Sequence, residues 1–129
     1  MRARGCLFLV LAASGCFAHV EGNLQVDGGP FSPTRCRSGQ TGGFPGIELA
    51  DDQGRRLRLA QNIDGTPSAA YLPPGSPIGE NLSGACGAVA IYPGTGMIGG
   101  IRNMDGRATL SCGTAEHSVV GAVRFENCH

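Results

Sequence analysis

The chain has 129 residues, 41% of them hydrophobic, and ten basic residues balance ten acidic ones for a formal net charge of zero. That length suits one ordinary domain with a modest core, and without a clustered basic excess no nucleic-acid partner is expected. Every basic residue is an arginine, and the 22 glycines and 8 prolines point to a GC-rich genome more than to a functional bias.

The first stretch reads as an export signal. Arg2 and Arg4 form a basic head, and Cys6 to Ala13 is an apolar run too short to cross a bilayer as a lasting helix. The run ends in Ala13-Ser14-Gly15-Cys16, which resembles the lipobox of bacterial lipoproteins, where small residues precede an invariant cysteine. The resemblance covers only residues 1–16, and Ala13 stands where leucine is commoner. It implies cleavage between Gly15 and Cys16, a diacylglyceryl group on the Cys16 thiol and acylation of the new amino terminus. Each buried methylene contributes about 0.8 kcal/mol, so two or three chains would hold the protein on a membrane. Phe17, rather than an aspartate, follows the cysteine, and in the enterobacterial pattern this implies sorting to the outer membrane. Cleavage after Ala18 is the alternative and would release a secreted protein.

Beyond the signal, eight arginines face ten carboxylates, and no second apolar run approaches membrane-spanning length. The acyl chains are therefore the expected membrane contact. Four cysteines remain, Cys36, Cys86, Cys112 and Cys128, and an even number in an exported chain predicts two disulfides. Their wide spacing lacks the paired pattern of a zinc site, so neither a metal nor another cofactor is expected.

Residues 16–45 are expected to form the lipid anchor and a Gly/Pro-rich arm. A short strand through Val20, Leu24 and Val26 opens it, Cys36 staples it to the body, and Phe31 and Phe44 are candidate apolar plugs. The β domain is expected over residues 46–129. Its clearest element is Ile47 to Leu59, where apolar and charged residues alternate on both sides of an Asp52-Gln53-Gly54 turn that needs positive φ at Gly54. This turn sets Leu49 opposite Leu57, Ile47 opposite Leu59, Glu48 opposite Arg58 and Asp51 opposite Arg55. Asp51, Asp52 and the run Arg55-Arg56-Arg58 are read as solvated cross-strand pairs, not as an acid/base or anion site.

Residues 61–85 read as loop around one short strand near Ala69 to Leu72, confined to a sheet edge by its prolines. Asn81-Leu82-Ser83 fits a glycosylation triplet that a bacterial exported chain would not use. From Ala88 the pattern predicts a strand (AVAIY), a glycine turn (PGTG) and a second strand (MIGGI). Gly94-Thr95-Gly96-Met97-Ile98-Gly99 matches the spacing of a dinucleotide loop, but such a loop must open a helix, and the residues after it are poor helix formers.

A last hairpin is predicted, with Ala108, Leu110 and Cys112 on one face before a turn at Gly113 to Glu116, and Val119, Val123 and Phe125 after it. Cys128 then lies about 30 Å from Cys112 along the strand, beyond the reach of a bridge. Two pairings remain: Cys36–Cys112 with Cys86–Cys128, or Cys36–Cys128 with Cys86–Cys112. Five to eight short strands without an amphipathic helix predict an all-β fold, a small antiparallel sandwich or barrel stapled by two disulfides.

No catalytic motif is found. A nucleophile elbow is missing, His19, His117 and His129 read as exposed surface, and the body cysteines are committed to bridges. A glycosidase-like pair among Glu48, Asp64, Glu80 and Glu126 depends on separations that only the fold sets. The expected function is a lipid-anchored envelope lipoprotein of the outer membrane with a non-catalytic binding or structural β domain, facing an envelope protein or glycan. The alternative is a small secreted, disulfide-stapled inhibitor or hydrolase.

Overall fold

Alternating apolar residues build ten strands in a computed structural model that describes residues 18–82 and 86–129. The strands are β1 (His19–Val26), β2 (Gly29–Phe31), β3 (Arg35–Ser38), β4 (Ile47–Ala50), β5 (Arg56–Gln61), β6 (Pro67–Leu72), β7 (Glu80–Leu82), β8 (Ala88–Ile98), β9 (Ile101–Gly113) and β10 (Ser118–Cys128). One turn of helix, α1 (Gly39–Gly42), follows β3 and is capped by the Ser38 hydroxyl, which accepts from the Gln40 N–H. Two five-stranded antiparallel sheets result, ordered β2-β1-β10-β9-β8 and β3-β4-β5-β6-β7. The second sheet is a continuous meander inserted between the two halves of the first. The predicted all-β, disulfide-stapled sandwich is the fold observed.

The core lies between the sheets. Leu49, Leu57, Leu59 and Val119 have no exposed surface, and Phe31 and Phe125 each keep 1%. Burying side chains of this size contributes about 1.5–3 kcal/mol each. The register expected for β4 and β5 is observed, with Leu49 opposite Leu57, Ile47 opposite Leu59 and Glu48 opposite Arg58. Gly54 closes the turn at φ +86°. The last hairpin also matches: Cys112 pairs with Val119 beside the turn, while Cys128 pairs with Met104 far from it.

Cys36 is bonded to Cys128 and Cys86 to Cys112, with Cα separations of 5.0 and 4.6 Å. Of the two pairings compatible with the hairpin, this is the second. Each bridge lies just past a point where the chain changes sheet, Cys36 after β2 and Cys86 after β7, and each ties that crossing to the β9–β10 hairpin.

Four expectations are corrected. The Gly/Pro-rich arm is part of the sandwich from His19 onward, because β1 pairs with β10 along its full length and β3 pairs with β4. Phe31 is a core plug, but Phe44 lies half-buried on the outer face of the second sheet under two arginines. Strand β6 is internal, not an edge, because Pro67 is its first residue and the remaining prolines fall in the loop after it. The PGTG segment is no turn: β8 runs through it with a register shift between Pro93 and Met97, and the chain reverses at Gly99-Gly100. The dinucleotide-like spacing thus lies within a strand and its turn, without the helix such a loop requires. The signal and lipobox, Cys16 included, lie outside the described residues.

Candidate functional site

On β3, β4 and β5 the residues pointing away from the core are Arg35 and Arg37, then Glu48 and Ala50, then Arg56 and Arg58. Strand pairing sets Arg37 and Arg58 on either side of Glu48. Arg37 donates through Nε to Glu48 Oε2 at 3.1 Å, Arg58 through Nε to Oε1 at 2.9 Å, and Arg56 Nη1 lies 3.5 Å from Oε1. The Phe44 ring carries the Arg58 and Arg37 guanidiniums at 4.2 and 5.2 Å from its centroid. Glu48 is consequently only 3% exposed although it belongs to the outward face.

The expected charge pairs therefore form, but Glu48 and Asp51 are not solvated, whereas Asp52, 78% exposed beside Arg35, is. Asp51 is also 3% exposed. Its Oδ1 accepts from the Gln53 and Arg55 N–H groups at 3.0 and 2.9 Å, and its Oδ2 from Arg55 Nε at 2.7 Å. Burial pushes both carboxyls up. For Glu48 the three arginines more than reverse this, and for Asp51 the backbone donors and Arg55 do so, holding both below the usual carboxylate range. Sequence alternation showed which residues face each other; it could not show that Arg37, from the supposed arm, would roof over Glu48.

Beside this hub is an open depression of about 510 Å³ lined by Ala18, Thr34, Arg35, Arg37, Ala50 and Arg56, among others. The alanines leave room, and the Arg35 and Arg37 side chains, 61% and 48% exposed, keep donors toward solvent. Five arginines and three carboxylates (Glu48, Asp51, Asp52) share β3 to β5 and their turn, whereas three arginines and seven carboxylates occupy the rest of residues 18–129. The face is positive on an otherwise acidic body. Arg37 gives both Nε and Nη2 to Glu48, Arg58 gives Nε to it and Arg35 gives Nη2 to the Asp51 carbonyl, so the guanidiniums are held in place and only their remaining N–H groups are available to an anion.

Ala18 joins this face to the end of the sandwich where His19 pairs with Glu126. From the same end the β8–β9 hairpin projects beyond the last pair of β10, Cys128 with Met104. Its tip exposes Met97, Ile98 and Ile101 (50, 39 and 38%). Among the described residues no helix is long and apolar enough to cross a membrane.

The three histidines are not simply exposed surface. His129 Nδ1 lies 2.8 Å from Asn103 Oδ1, His117 Nδ1 lies 2.9 Å from Asp27 Oδ2, and only His19 is well exposed, 3.5 Å from Glu21. Compared with known protein families, curated proteins and solved structures, the chain gives no match. Fold and site thus define a disulfide-stapled β-sandwich with an arginine-lined outer face.

Proposed function

We propose that this protein is a lipid-anchored component of a bacterial envelope, held in the outer membrane through Cys16, and that its sandwich is a non-catalytic binding module whose arginine face takes anionic lipid head groups. The observation that carries this reading is that Ala18, two residues after the lipobox cysteine, lines the arginine depression. Only two peptide links separate Ala18 from Cys16 in the sequence, a reach of no more than ~8 Å whatever the backbone conformation. Acyl chains inserted there would bring the guanidiniums to the depth of lipid phosphates, where each contributes about 1 kcal/mol. The apolar tip at Met97, Ile98 and Ile101, projecting from the same end, supports the same orientation.

Fractionation of cells expressing the protein and its Cys16→Ser variant tests the anchor. Loss of membrane partitioning in the variant is expected, and unchanged partitioning overturns the anchoring. The soluble variant, mixed with phosphatidylglycerol and with phosphatidylcholine vesicles, tests the face. Co-sedimentation with the anionic vesicles alone, weakened by salt and by Arg35→Ala with Arg37→Ala, is the expected result. Because β1 begins at His19, directly after Ala18, recovery from the medium with His19 as amino terminus would favour a secreted inhibitor or hydrolase instead.

A further inference from the structure

At the opposite end of β1 the chain gathers a second set of polar groups that the arginine face does not use. Asp27 follows β1, Glu80 opens β7 in the other sheet, Tyr71 is on β6, and Glu116 and His117 belong to the β9–β10 turn. Eight residues of β1 separate this end from Ala18, about 26 Å at strand rise.

The geometry selects one nitrogen of His117. Its Nδ1 is held by Asp27 Oδ2 at 2.9 Å, and Asp27 is fixed in turn because its Oδ1 accepts from the Ser118 N–H at 2.8 Å. The Tyr71 ring packs against the imidazole at 4.7 Å between centroids. His117 Nε2 is left 3.7 Å from Glu80 Oε1, and one donor atom each from Glu80, Glu116 and His117 lie within 4.8 Å of one another. A carboxylate on Nδ1 that orients Nε2 is the arrangement found behind metal-bound histidines, where it fixes the tautomer and raises the basicity of the ligating nitrogen. Three carboxylates crowd one imidazole here, while Arg55, the nearby cation, is committed to Asp51 at 2.7 Å.

We propose that Glu80, Glu116 and His117 form a binding site for a divalent transition metal, with zinc the ion that this donor set fits and Asp27 the positioning residue behind His117. Tetrahedral zinc holds nitrogen and oxygen ligands at about 2.0–2.2 Å, which places neighbouring ligand atoms about 3.4 Å apart. His117 and Glu80 already stand near that spacing, and Glu116, exposed on its turn, has a carboxylate oxygen within 4.8 Å of both. Calcium, which prefers six or more oxygens, is a poor match to one imidazole and two carboxylates. A bound ion would join β7 of one sheet to the β9–β10 turn of the other. This site stands independently of the anchor and of the arginine face.

The test is titration of the full chain, disulfides intact, with zinc chloride while the ring resonances of all three histidines are followed by NMR. The expected result is saturable 1:1 movement of the His117 signals, with His19 and His129 unmoved and no response to calcium. Glu80→Gln and Glu116→Gln should each weaken zinc binding at least tenfold, and Asp27→Asn by 10- to 100-fold. Removing His117 loosens the turn it ties, so the two glutamate variants, both on partly or fully exposed residues, decide the matter. His117 signals unmoved at millimolar zinc, or wild-type affinity in both glutamate variants, would overturn the site.

Discussion

Glu48 is the residue on which the arginine face depends. A carboxylate at 3% exposure carries a desolvation cost that only its three arginines offset, so the arrangement holds the side chains in place more than it adds net stability. Glu48→Gln keeps the shape and removes the charge, leaving the Arg37 and Arg58 donors with a neutral acceptor. A loss of about 1–3 kcal/mol in urea unfolding at neutral pH is expected. The pH dependence follows from the direction of the shift. Folding lowers the Glu48 carboxyl below its ordinary value of 4.5, so its contribution is complete above that pH and is lost as the pH falls through the lower, folded value. Asp51 acts in the same sense. Unfolding measured at pH 7, 5 and 3 should show stability declining in acid, with a shallower decline in Glu48→Gln. An equal slope in both proteins would remove Glu48 from the acid response. The pairing of Glu48 with Arg58 was legible in the sequence because a two-residue period and one glycine turn fix it. Its burial was not, because that depends on Arg37 and Phe44, which reach the site through the path of β3 and α1.

Among the elements, β1 shows most clearly what alternation can and cannot reveal. Val20, Leu24 and Val26 announce a strand, yet nothing local says that it lies between β2 and β10 in the middle of a sheet. That placement is a long-range pairing, and the glycines around it argue locally for an arm. One of the glycines that makes it possible is Gly121 on β10. It sits opposite Leu24 at φ +134°, where an added Cβ would collide with the Asn23 carbonyl across the pair. Gly121→Ala should cost at least about 2 kcal/mol and should raise amide exchange in β1 more than in the second sheet. Unchanged protection of the β1 amides would show that the strand tolerates the clash. Strand β8 misled in the opposite way. Its proline and glycines look like a turn, but a bulge absorbs them, and the reversal waits for Gly99-Gly100.

For the molecule as a whole, the sequence reduced the disulfides to two pairings, and the choice between them needed the stacking of one sheet on the other. Cys36–Cys128 and Cys86–Cys112 span 92 and 26 residues. Chain-entropy reasoning assigns the longer closure about 4.6 kcal/mol and the shorter about 3.5 kcal/mol. Replacing both cysteines of the first pair by serine should therefore lower the thermal midpoint more than replacing those of the second. The reverse order would place the stabilisation in the native contacts around Cys86.

The longer bridge also governs how the protein answers a mechanical load. Residues 36 to 128 form a covalent ring, so a pull applied between the two termini can peel β1 away from β10 but must halt at Cys36. The slack released from Ala18 to Cys36 is roughly 60 Å at full extension. In an optical trap the oxidised molecule should give one short lengthening step and then stiffen, and reducing agent should free the remainder of the thread. A module tethered near its amino terminus, as proposed here, would thus stay closed while the surface to which it is fixed moves.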